Sequence, residues 1–293
     1  LNPIETLTQI NLDDLVSSFG SQNRPFFARL LRRLFFRPAR RFAGQMLEFD
    51  AAVGERGLAE AARLTQRRYV RDVRVFGLDR VPDSAFLALS NHPGMTDTLS
   101  LFAALNRPDL KIIALDRPFL LALPNTSRQL FLVRDDPASR MSLVRQVSGH
   151  LRSGGSALTF PAGEIEPDPD VYPGAVDALQ TWTDSVGVFI RMAPETTILP
   201  MLVRSVIWDK AAKHPLLKIK KTGVEREKLT AALQLLAMVM WNVKPVTVTV
   251  QIGKPVRFRE SGKTDTQVIH RAVLAEMKHL LENPPEGNGV SAL

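Results

Sequence analysis

The stretch SNHPGMTDTL, residues 90–99, sets His92 five positions before Asp97, between an apolar run and a helical pattern. A carboxylate accepting from one imidazole nitrogen fixes the ring's tautomer and stabilises the imidazolium, which leaves the other nitrogen to take a proton from a hydroxyl. The intervening Pro93-Gly94-Met95-Thr96 can fold back to bring the two side chains together. Asp97 also fits a plainer role, because a carboxylate opening a helix satisfies unpaired amides and favours the positive end of the dipole. The spacing recurs by chance in chains of this length, so alone it leaves both roles open.

Two further stretches carry charge at the ends of apolar runs. TFPAGEIEPD, residues 159–168, turns on Gly163 and projects Glu164, while QLFLVRDD, residues 129–136, ends on Arg134. Strand ends converge on one site in α/β sheets, so these residues are candidates for a shared site with His92. The chain has no cysteine and no G-x-S-x-G elbow, so it offers neither a thiol nucleophile nor the serine-hydrolase motif. Gly154-Gly155 reads as a turn, and no Walker or dinucleotide fingerprint occurs. His150, His214, His270 and His279 show no ligand spacing, so no metal site is expected.

The elements that must position these residues follow an α/β pattern after Arg71. Seven strands are predicted at 73–78, 85–90, 111–115, 129–133, 156–160, 197–203 and 246–252. Helices are predicted at 98–105, 138–151, 174–182, 225–241 and 265–281. Residues 1–22 lack periodicity and read as a loosely ordered lead-in, and 283–293 as a frayed, flexible tail. Between them, residues 23–49 mix phenylalanine and leucine with arginine at helical spacing, interrupted or kinked at Pro38, and Leu58–Tyr69 is a second helix. The apolar run 229–243 is shorter than a membrane span and reads as a buried helix.

Of the net charge of +8, the whole excess lies in residues 21–80, with fourteen arginines against six acids. One localised basic surface suits an anionic membrane better than a nucleic-acid coat, since no nucleic-acid-binding motif accompanies the charge. The same arginines would face water if the phenylalanines simply packed on the α/β domain. The first residues show no basic-then-apolar signal pattern, so a cytoplasmic protein, peripheral on the inner face of the cell membrane, is expected.

Taken together, the blocks resemble those of the glycerolipid acyltransferase family that includes lysophosphatidic acid acyltransferases. Asn91, His92 and Asp97 match its N-H-x4-D block. Phe131 and Arg134 match F-x-x-R, although Arg128 stands where the family usually has glycine. Phe160, Pro161 and Gly163 match part of F-P-E-G-T-R, and Ile198-Leu199-Pro200 resembles the fourth block. The resemblance implies one α/β acyltransferase domain over 71–282, with about seven mixed strands flanked by helices, preceded by a basic helical segment over 1–70. It implies acyl transfer from acyl-CoA or acyl carrier protein, as co-substrate with no bound cofactor, to a lysophospholipid or glycerol-phosphate hydroxyl. His92 would be the general base and Asp97 its orienting partner. Asn91, Arg117, Phe131, Arg134, Phe160, Pro161, Gly163 and Glu164 would line the substrate. The family's third-block Glu and Arg are Ala162 and Ile165 here, so the F-P-A-G-E form also resembles lyso-ornithine lipid acyltransferases and haemolysin-like relatives. That makes a neutral or amine-bearing acceptor an alternative, and a catalytically silent membrane scaffold a further one.

Overall fold

A computed structural model describes residues 2–18, 25–220, 222–258 and 265–293. All seven expected strands form: β1 Asp72–Phe76, β2 Phe86–Ser90, β3 Leu110–Leu115, β4 Leu130–Val133, β5 Ser156–Thr159, β6 Thr197–Arg204 and β7 Thr247–Ile252. With β8, Val290–Ser291, they make one mixed sheet in the order β4-β3-β5-β2-β6-β7-β1-β8. The first five in that order are mutually parallel. Parallel neighbours require crossovers, so the carboxyl ends of β4, β3, β5, β2 and β6 share one edge of the sheet.

Among the described residues twelve α-helices flank or precede it: α1 Pro3–Ser18, α2 Pro25–Arg56, α3 Leu58–Tyr69, α4 Met95–Leu105, α5 Pro118–Leu121, α6 Pro124–Ser127, α7 Pro137–Arg152, α8 Ala175–Ala178, α9 Ser185–Met192, α10 Asp209–Ala212, α11 Gly223–Trp241 and α12 Thr266–Glu282. Side chains alternate across a strand, so central β2 faces two cores. Phe86 and Ala88 join residues of α2, α3 and α4, while Leu87 and Leu89 join those of α7, α9 and α12. Burial on both faces explains why β2 reads as a continuous apolar run.

Both chain ends correct the sequence reading. The expected loose lead-in holds α1, whose Leu7, Leu12 and Val16 are buried, and which is tied to α2 by an Arg32–Asp13 ion pair and by Asn11 Nδ2 donating to Ala39 O at 3.2 Å. Its buried face includes Thr8, which blurs the apolar period. Residues 19–22 of that lead-in, and 23–24 of the basic segment, lie outside the described residues. The expected flexible tail carries β8, antiparallel to β1, with Ala292 N donating to Val73 O at 2.9 Å. A two-residue edge strand is too short to leave a periodic signal.

α2 runs through Pro38 without interruption. Burial of Leu31, Ala39, Ala43, Met46 and Phe49 along the helix offsets the hydrogen bond that proline removes. α11 buries one face, through Leu229, Gln234, Met238 and Val239, but leaves Trp241 68% exposed. The expectation of a buried helix over 229–243 therefore holds for one face only.

Candidate active site

β2 ends at Ser90, and the next four residues turn into α4 at the shared sheet edge. Asp97, the third residue of α4, is wholly buried and fills both roles that the sequence leaves open. Its Oδ2 pairs with His92 Nδ1 at 3.0 Å and accepts from Gly94 N at 2.8 Å. Its Oδ1 accepts from the Thr98 amide and from Thr98 Oγ1. Four donors around one carboxylate hold it immobile as an acceptor. With Asp97 accepting, His92 carries its proton on Nδ1 and presents Nε2 as a free acceptor on a side chain that is 31% exposed.

Asn91 locks the strand end behind His92. Its amide donates to Val203 O and accepts from Val203 N, both at 2.8 Å, continuing the β2–β6 ladder past its last strand pair. Gly94 approaches the loop after β6 so closely that a Cβ there would lie 3.3 Å from Val206 Cγ1. Phe160, at the end of neighbouring β5, lays its ring 4.7 Å from the His92 ring.

Three residues that the sequence reading leaves out of the site complete it. Glu166 Oε2 accepts from His92 N at 3.1 Å, Glu166 N donates to His92 O at 3.0 Å, and Trp182 Nε1 donates to Glu166 Oε1 at 2.6 Å. Asp168, also buried, accepts from the amides of Val206 at 2.6 Å, Ile207 at 2.8 Å and Ser205 at 3.1 Å. Asp170 then pairs with Arg204 at 3.4 Å. The signal was E-P-D-P-D at 166–170: proline holds its own φ and pushes the preceding residue into extended backbone, so alternate acids are presented along a stiff segment.

The other expected site residues scatter. Gly163 adopts φ 68° and donates to Phe160 O at 3.0 Å, forming the tight turn that needs glycine. Pro161 is buried, and its carbonyl accepts from Thr183 N at 3.2 Å. Glu164 is exposed, and its charge adds to the burial that raises the pKa of nearby Glu227. Phe131 is a core residue packed edge-on against His150, which itself bonds the Asp109 and Ser156 carbonyls. Arg134 and Arg117 follow β4 and β3 on the same edge as His92. Three strand spacings of about 4.8 Å separate β4 from β2, so Arg134 stands roughly 14 Å to the side. Arg134 is ion-paired with Asp116 at 2.7 Å.

Burial pulls the His92 pKa down, but the Asp97 charge, the hydrogen bond to it and the Glu166 charge outweigh that, and the net shift is upward. Burial raises Glu166 to about 7, against the opposing pull of its bonds from Trp182 and the His92 amide. Desolvation likewise raises Asp168, partly countered by the amides that it accepts from. The site thus holds an imidazole whose pKa is raised, beside an acid raised to about 7.

No family model matches the chain, and no curated protein matches it by sequence. Among solved structures, the chain is similar to the 1-acyl-sn-glycerophosphate (LPA) acyltransferase PlsC from Thermotoga maritima. The likeness covers 98% of this chain and 100% of that one, at 17% identity and a TM-score of 0.48.

Proposed function

We propose that the chain is an O-acyltransferase that moves a fatty acyl group from a thioester of CoA or acyl carrier protein to the hydroxyl of a lysophospholipid or glycerol phosphate. The observation that carries this reading is the His92–Asp97 pair, with Nδ1 committed to a buried carboxylate and Nε2 free at the sheet edge. His92 Nε2 takes the hydroxyl proton as the oxygen attacks the thioester carbonyl. The C–S bond breaks, the thiolate leaves, and the imidazolium returns the proton to it. The order of the four sequence blocks and the packing of Phe160 on His92 support the same reading.

The third block favours a second reading for the acceptor alone. Ala162 and an exposed Glu164 present no cation there, and Arg134 is held by Asp116. A neutral or amine-bearing lysolipid, such as lyso-ornithine lipid, fits that environment better than a phosphate.

The arginine-rich helix supports placement on the inner, anionic face of the cell membrane. Phe26, Leu34 and Leu30 are 81%, 66% and 51% exposed, beside Arg29, Arg33 and Arg37. Among the described residues no helix is long and apolar enough to cross a membrane.

The deciding experiment is thioester consumption by the wild type and His92→Ala with palmitoyl-CoA or palmitoyl-acyl carrier protein, against glycerol 3-phosphate, lysophosphatidic acid and lyso-ornithine lipid. Loss of about 10²–10⁴-fold in turnover with an unchanged melting temperature is expected. Equal rates in the two proteins would remove His92 from the chemistry, and silence with every donor and acceptor would favour a membrane scaffold.

A further inference from the structure

Away from His92, a recess of about 610 Å³ gathers Arg37, Arg40 and Arg41 of α2, Arg68 of α3, the buried Gln45, and Asn242 at the end of α11. Elsewhere in the fold arginines commonly meet an acid: Arg63 pairs with Glu60, Arg74 with Asp72, Arg107 with Asp109 and Arg204 with Asp170. Here one acid, Glu48, serves four guanidinium groups, and it pairs with Arg68 at 2.8 Å. Arg41 is aimed by the Met240 carbonyl at 3.2 Å and by Asn242 Oδ1 at 3.0 Å. Arg37 and Arg40 are exposed and have no partner among the described residues. Behind them, Tyr69 Oη donates to Gln45 Oε1 at 2.6 Å and stiffens the floor. The lining therefore carries a net charge of about +3 with two of its cations already oriented, which is a site for a multiply charged, oxygen-rich anion.

The same face of α2 says what the anion is attached to. At 100° per residue, Phe26, Leu30, Leu34, Arg37 and Arg41 lie on one side of the helix. The exposed apolar stripe therefore runs directly into the recess, with Leu34 about 10 Å from Arg41 along the axis. Apolar surface followed by clustered guanidinium matches an amphiphile whose head is a phosphate. Arg68 and Asn242 also stand just before the first residues of β1 and β7, which lie at the edge where β2 and β6 end. α3 links the two regions, since its Gln66 bonds the Thr96 carbonyl and Ser100 Oγ of α4.

We infer that this recess binds a phosphate monoester, the head of a membrane lipid lying along the Phe26–Leu30–Leu34 stripe. The inference uses no residue of the His92 site, and its test reads binding rather than turnover, so it stands or falls apart from the acyl-transfer reading. The protein is sedimented with phosphatidylcholine vesicles carrying phosphatidic acid, or phosphatidylserine at matched surface charge, with and without inorganic pyrophosphate. Wild type should prefer phosphatidic acid. Arg37→Gln/Arg40→Gln should weaken that binding by roughly thirtyfold, the effect of two basic residues at an anionic surface, and should abolish the preference. Arg29→Gln/Arg33→Gln, equal in charge on the same helix but outside the recess, should weaken both lipids alike and keep the preference. Competition by pyrophosphate that requires Arg37 and Arg40 would show that the phosphate suffices without its lipid. Absence of any preference in wild type, or identical behaviour of the two double variants, would overturn the site and leave only a diffuse basic face.

Discussion

His92 and Glu166, 74 positions apart, hold each other through the backbone of both residues and the carboxylate of one. The Glu166 carboxylate also accepts from Trp182, so removing it orphans two buried donors, each at a cost of about 1–3 kcal/mol. Glu166→Ala should lower the melting temperature and the maximal turnover while changing KM little, because it releases the residue that carries the base and not the substrate. Glu166→Gln keeps one acceptor and should fall between. Thermal unfolding with steady-state kinetics checks this; a wild-type kcat in the alanine variant would show that His92 needs no such support.

The titration of this pair sets a pH signature. Glu166 is raised from 4.5 to about 7, so across that window the folded chain keeps a proton that the unfolded chain has released. Stability therefore falls as pH rises from about 4.5 to 7, and Glu166→Gln should flatten that fall. His92, also raised, adds loss of stability as pH climbs through its folded value. As a base it must be neutral, so the acid limb of kcat/KM should lie above the ordinary histidine value of 6.5. Asp97→Asn removes the charge that raises it, moving the limb to lower pH while the plateau drops through loss of the fixed tautomer. A limb that stays put in Asp97→Asn would assign the titration to another group.

Asn91 offers a test of scaffold against contact. Both halves of its amide are spent on Val203, so Asn91→Ala leaves a buried N–H and a buried C=O unpaired between β2 and β6. A loss of about 2–4 kcal/mol is expected in chemical denaturation. If stability holds and only KM changes, Asn91 touches substrate instead.

Asp168 anchors the loop after β6 against which Gly94 packs. Asp168→Asn places an NH2 among amide donors, so a stability loss of about 1–3 kcal/mol is expected. The acid limb of activity should not move, because the residue does not meet the His92 ring. A shifted limb in this variant would show that Asp168 acts on His92 electrostatically.

What the sequence determined by itself is local. Apolar runs of strand length gave seven strands because a doubly covered sheet requires them, and the N-H-x4-D spacing placed His92 and Asp97 where a short loop returns on itself. The turn at Gly163 followed from the same local rules, whereas Phe160 entered the site only through the family resemblance. What only the tertiary structure decided is long-range: that Asn91 closes a ladder with Val203, that Phe131 belongs to the core, and that Arg134 lies three strands from His92. Glu166 and Glu164, two positions apart, part into a buried acid and an exposed one because Pro167 and the Gly163 turn aim them at different surroundings. The N-terminal helix exists by packing on α2, and β8 by pairing with β1 at the far end of the chain. Periodicity reports which face of a segment is apolar, but only the folded chain supplies what that face meets.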